Sequence, residues 1–106
     1  MIINANFESA SSNPKEIVNA NFGNQISYVI EGYVSKDEMF VEDIKVRAYL
    51  RSTGELLSET LSLSDGYYKI EDLESQEKCY VIAVSQYEGY NSVIKDKIIP
   101  NVGMII

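Results

Sequence analysis

The chain reads as an all-β sandwich of about seven strands behind an extended N-terminal arm. Three observations point there. Apolar residues recur at every second position through most of the chain, the side-chain period of a strand. Turn signals built on glycine, asparagine or serine interrupt the pattern about every 8 to 12 residues, a spacing typical of sandwiches and barrels. No segment keeps a helical period.

The elements follow in order. Residues 1–25 differ from the rest: they hold six asparagines, the run SASS and Pro14, with isolated apolar residues between them. Asparagine and serine compete for backbone hydrogen bonds and disfavour regular ladders. Residues 1–25 are therefore expected as an arm, with a turn or brief helical start at Asn13-Pro14-Lys15-Glu16. The sandwich is expected over residues 26–106. ISYVIEGYV alternates, placing Ile26, Tyr28, Ile30, Gly32 and Val34 on one face. SKDEMFVED is a polar loop with Met39 and Phe40 as plugs. IKVRAYLR puts Ile44, Val46, Ala48 and Leu50 inward and Lys45, Arg47, Tyr49 and Arg51 outward. Ser52-Thr53-Gly54 turns the chain into the strand ELLSETLSL, and Ser64-Asp65-Gly66 turns it again into YYKIEDL, with Tyr68 and Ile70 on one face. Gly54 and Gly66 suit turn conformations that a side chain resists, and Asp65 suits an Asx turn. CYVIAVSQ is the most apolar run and is expected as a central strand. SVIKDKII is the last full strand, and VGMII adds a short strand or an apolar anchor.

Composition narrows the function. The 106 residues suffice for one domain with a core that needs no disulfide or metal. The lone Cys79 lies in an apolar run and reads as a buried thiol. The net charge of −7, with basic residues scattered except for Lys45, Arg47 and Arg51, supplies no face for nucleic acid or for an anionic membrane. No run has the ~20 apolar residues of a membrane-spanning helix, and the start lacks the basic and apolar regions of a signal peptide. The absence of histidine removes most hydrolase triads and the usual zinc sites. Acidic residues Asp37, Glu38, Glu42, Asp43 and Asp65 are oxygen donors, but nothing like a calcium-loop pattern joins them. No serine has an evident base beside it. No enzymatic activity and no cofactor are expected.

The segments EGYVSKD, DIKVRAYLRSTGELLSETLSLSDGYYKIEDL and CYVIAVSQYEGYNSVIKDKIIP together resemble the transthyretin-like, or carboxypeptidase-regulatory-like, β-sandwich domains, an Ig-like architecture. Ser64, Asp65, Gly66 and Tyr68 match the S-D-x-G-x-Y core of that family, with no residue between Asp65 and Gly66. The resemblance covers residues 30 to 100 or so. Within it, RAYLRSTGELL and the ending YNSVIKDKIIP are similar to small bacteriophage virion proteins of this fold: Tyr90, Asn91, Val93, Ile94, Asp96 and Pro100 match, while Lys95 replaces a smaller residue. Ureide-hydrolysing relatives rely on histidines that this chain lacks. The lysine–asparagine isopeptide bond of related adhesins finds no triad, because Lys45 faces outward and CYVIAV carries no acid.

The resemblance implies a non-enzymatic structural component of a virion, made in the host cytoplasm. Its partners would be other virion proteins and copies of itself. The arm repeats Asn-Ala-Asn-Phe at residues 4–7 and 19–22. Two isolated phenylalanines bury too little to fold the arm alone, but fifteen extended residues reach about 50 Å, at about 3.3 Å each, far enough to cross a neighbouring subunit. Asn6, Phe7, Asn21 and Phe22 are the expected partner contacts. Equally weighted is an arm that covers its own sandwich, whose edge strands need protection. The alternative function is a tail-tip or bacterial cell-surface adhesin that binds a glycan or host protein through a platform of Tyr33, Tyr49, Tyr67, Tyr87 and Tyr90.

Overall fold

A computed structural model of the chain describes residues 1–6 and 26–105. Nine strands follow in chain order: β1 (Ile2–Ile3), β2 (Ile26–Lys36), β3 (Met39–Phe40), β4 (Lys45–Leu50), β5 (Leu56–Leu61), β6 (Tyr67–Leu73), β7 (Cys79–Val84), β8 (Val93–Ile98) and β9 (Asn101–Ile105). They form two antiparallel sheets packed as a β-sandwich, and no helix occurs among the described residues. In the first sheet β2 is central: β6 and β3 lie along one edge, β1 and β9 along the other. The second sheet runs β5-β4-β7-β8.

The inward faces are those the alternation predicts. Ile30 and Val34 of β2, Val46 and Ala48 of β4, Tyr68 and Ile70 of β6, and Val81 and Ala83 of β7 are buried between the sheets. CYVIAV is a central strand, flanked by β4 and β8, and Cys79 is buried. Burial, helped by Glu77, pushes its thiol pKa up. Gly54 and Gly66 both have φ of +81°, and the Asp65 carboxylate accepts the Tyr67 amide at 3.1 Å, an Asx turn. Val34 O lies only 2.7 Å from where a Cβ on Gly66 would sit.

Met39 and Phe40, expected as loop plugs, form a strand instead. Asp37 and Glu38 take φ of 54° and 68°, and two successive left-handed residues close a tight hairpin back onto Ser35 and Lys36. The tail supplies β9, which pairs with Ile26–Val29.

At the N-terminus residues 1–6, expected within the arm, run along β2, the course expected of an arm that covers its own sandwich. Ile2 and Ile3 pair with Ser35 and Val34, and Ile3 joins the core. Beyond β1 the asparagines continue the ladder with their side chains. Asn4 donates its backbone N–H to Tyr33 O at 3.2 Å, and its Oδ1 accepts the Tyr33 N–H at 2.8 Å. Asn6 repeats this on Glu31, donating N–H at 2.8 Å and accepting the Glu31 N–H on Oδ1 at 2.9 Å. Its Nδ2 then donates to Ile99 O at 2.9 Å. A side-chain amide carries the same donor and acceptor as a peptide, so each asparagine completes a bridge that its own backbone cannot. Asn6 has φ of 35°, a region that asparagine tolerates better than most residues.

Asn6, expected at a partner, is therefore spent within its own chain, with only 8 % of its surface exposed. The expected contacts Phe7, Asn21 and Phe22, and the turn at Asn13–Glu16, lie outside the described residues. Gly32 makes the close approach possible: a Cβ there would lie 2.2 Å from Asn4 O. That same carbonyl accepts the buried Tyr68 hydroxyl at 2.7 Å.

Asn6→Ala strands the Glu31 N–H and the Ile99 C=O. We expect it to lower stability by about 0.5–1.5 kcal/mol, the net contribution of a hydrogen bond between part-buried groups, read as a lower urea midpoint. Gly32→Ala should cost a similar amount by displacing Asn4, and an unchanged midpoint in both variants would contradict the bridging role.

Candidate interaction surface

The outer face of the first sheet carries a cluster of three aromatic rings, with Ile2 across Ser35 from it. Ser35 of β2 is flanked directly by Ile2 of β1 and Phe40 of β3, and directly opposed residues share a face. Ile2 is 66 % exposed and Phe40 60 %. Two residues along β2, the Tyr33 ring lies 5.4 Å from Phe40 and 5.6 Å from Tyr67 of β6. Tyr67 donates its hydroxyl to the Glu31 carboxylate. Burial, reinforced by that bond, pushes Tyr67 up to about 12. Burial likewise raises the Tyr68 hydroxyl on the opposite face of β6.

The tyrosines do not form one platform. Tyr33 and Tyr67 belong to this cluster. Tyr49 stacks on Tyr80 across β4 and β7, with centroids 5.1 Å apart and planes 11° from parallel. Tyr87 and Tyr90 meet in the β7–β8 loop at 5.4 Å, with the Lys36 ammonium over Tyr90. The proposed five-residue surface is therefore split among the two sheets and a loop. Tyr49 was reached by alternation alone, which assigns a side but not which sheet a strand joins.

The two arginines of the basic stripe are paired with acids. Arg47 donates to Glu59 at 3.2 Å, and Arg51 grips Asp96 through two bonds at 2.9 and 3.3 Å. The Arg51 guanidinium holds the Asp96 carboxyl below its ordinary value. Of the acidic residues weighed as oxygen donors, Asp65 is used in its turn and Asp37 pairs with Lys36. Among the described residues no three His, Cys, Asp or Glu side chains come together as a metal site.

Two features were not anticipated. β5 is an edge strand, paired among the described residues only with β4, and it leaves its leucines outside: Leu56, Leu57 and Leu61 are 50 %, 37 % and 51 % exposed. Beside it, between the start of β5 and the β6–β7 connection, lies a groove of about 510 Å³. The alternation of hydroxyls and leucines in LSETLSL was a signal for β5, but it does not reveal which set points in.

No family model, no curated protein and no solved structure matches this chain.

The raised Tyr67 has a consequence at high pH. A tyrosine whose folded pKa exceeds the unfolded value of about 10 contributes fully below pH 10 or so, and that contribution is lost as pH rises through about 12. The urea midpoint should fall across that window. Tyr67→Phe should reduce the fall, leaving the part due to Tyr68. Identical profiles for the variant and the native chain would contradict this environment.

Proposed function

We propose that the chain is a non-enzymatic structural component of a bacteriophage virion, a β-sandwich block that joins copies of itself and other virion proteins. The observation that carries this reading is the cluster of Phe40, Tyr33 and Tyr67, with Ile2 across Ser35 from it. Contiguous exposed apolar surface marks sites of protein contact, and aromatic residues are enriched where such contacts carry energy. The sequence resemblance of RAYLRSTGELL and YNSVIKDKIIP to virion proteins supports the same reading. So does the sandwich itself, a rigid platform with its N-terminus pinned to the sheet that bears the cluster.

The joint differs from an arm of asparagines. Asn4 and Asn6 bind their own sheet, so the contacts proposed for neighbouring subunits are the cluster and Ile2 together with Phe7, Asn21 and Phe22. The adhesin alternative has less support, because its tyrosines do not share a surface.

The test is the mass of the full-length chain by light scattering on a sizing column. The reading expects a discrete multimer. Phe40→Ser combined with Tyr33→Ser should reduce it to a monomer. Both residues lie on the outer face, so the variant should still unfold cooperatively, with a urea midpoint lowered only by the lost ring contacts. Phe7→Ala with Phe22→Ala should weaken the multimer in the same assay. A native chain that stays monomeric at high concentration, with a mass indifferent to these substitutions, would contradict self-association.

A further inference from the structure

We propose that the outer edge of β5, unpaired among the described residues, and the groove beside it bind a basic, apolar β-strand segment of a partner protein. This rests on the reading of the chain as an assembly component and names the chemistry of one contact.

The backbone of β5 is set for strand addition. Ser62 donates its N–H to Ile44 O at 2.9 Å, and Ser58 and Thr60 lie opposite Ala48 and Val46 in the same register. Backbone groups alternate in direction along a strand. Those of Glu59 and Leu61 therefore point away from β4, where no strand pairs with them among the described residues. The opposite edge of the sheet is guarded differently. β8 places Lys95, Asp96 and Lys97 in sequence, with a register shift opposite them and Lys97 at φ 58°. Charge and a bulge are the usual means of blocking edge pairing. β5 has no lysine and no proline, its one charge, Glu59, is paired with Arg47, and its register shift is confined to Leu57, leaving Ser58–Leu61 regularly paired.

The groove adds selectivity. Leu50, Leu73 and Cys79 form its apolar floor, and Leu56 and Leu57 of β5 its wall. Its rim carries Glu55, Asp72, Glu74 and Glu77, and no basic residue lines it; Lys78 lies beside Glu77 in sequence but outside the lining. None of the four carboxylates is ion-paired among the described residues. The volume falls in the range of about 300–1,000 Å³ usual for ligand clefts. A strand laid on β5 would direct alternate side chains inward to the groove. Apolar groups suit the floor and lysine or arginine suits the rim. The chain's net charge of −7 favours approach of such a segment.

The test uses the full-length protein and fluorescently labelled, end-capped peptides of about eight residues, the length of an ordinary strand. One alternates lysine with valine and leucine; its control replaces each lysine with glutamate. Anisotropy should show binding of the basic peptide alone, weakening as salt is raised. Glu74→Gln and Glu77→Gln, both exposed, should each weaken it roughly two- to fivefold. N-methylation of the peptide amides that face β5 should abolish binding. Equal binding of both peptides, binding of neither, or undiminished binding of the methylated peptide would each overturn the proposal. Such a failure would leave the assembly reading standing, because that is measured without peptide and through residues of the other sheet.

Discussion

Burying a strand on both edges requires that every backbone donor and acceptor along it find a partner, at a cost of about 1–3 kcal/mol for each one left out. β2 is the strand on which this constraint falls. One edge is satisfied by β6 and the β3 hairpin. The other is shared by β1 and β9, which pair with opposite ends of β2 and, among the described residues, leave its middle uncovered by any strand. Asn4 and Asn6 close that gap with their side-chain amides, and the Nδ2 of Asn6 reaches Ile99 just before β9 begins. The surrounding sequence accommodates them. Gly32 makes room for Asn4, and Gly103 makes room for Val29, whose Cγ1 would lie 2.3 Å from a Cβ on that glycine. Tyr68 reaches through the core to the Asn4 carbonyl.

The same constraint separates the edges of the molecule by purpose. β2 is sealed by short segments and amides. β8 is guarded by alternating charge and a bulge. β5 has no strand on its outer edge among the described residues and a register shift only at Leu57, and it turns serine and threonine inward and leucine outward. A strand built to complete its own core would reverse that choice, since leucine gains far more from burial than a hydroxyl does. The first sheet shows the same bias, with Ile2 and Phe40 exposed and Phe40 beside a paired Tyr33 and Tyr67. The sandwich buries an apolar core between its sheets and still presents apolar side chains on its outside.

Much of the sandwich was legible because its signals are local. The two-residue period of IKVRAYLR and YYKIEDL sets their inward faces without reference to any neighbour, and Gly54, Asp65 and Gly66 define their turns by their own conformations. The asparagine bridges were not legible, because the partners of Asn6 lie 25 and 93 residues away. Polar residues with distant partners look in sequence like residues with none, so residues 1–6 read as arm. Met39 and Phe40 are too few to show a period. For the candidate surface, alternation identified Tyr33 and Tyr67 as residues that face out of the core. It gave no hint that Ile2 joins them, since the register that brings Ile2 opposite Ser35 is set by β1 pairing alone.

The most direct measurement is amide hydrogen exchange of the full-length chain, resolved by residue. The Glu31 and Tyr33 amides donate to asparagine side chains at 2.9 and 2.8 Å and should exchange only when the domain opens. The Glu59 and Leu61 amides, on the open edge of β5, should exchange fast. Exchange at Glu31 and Tyr33 as rapid as at Glu59 and Leu61 would contradict a molecule with the β2 edge closed by asparagine and the β5 edge open.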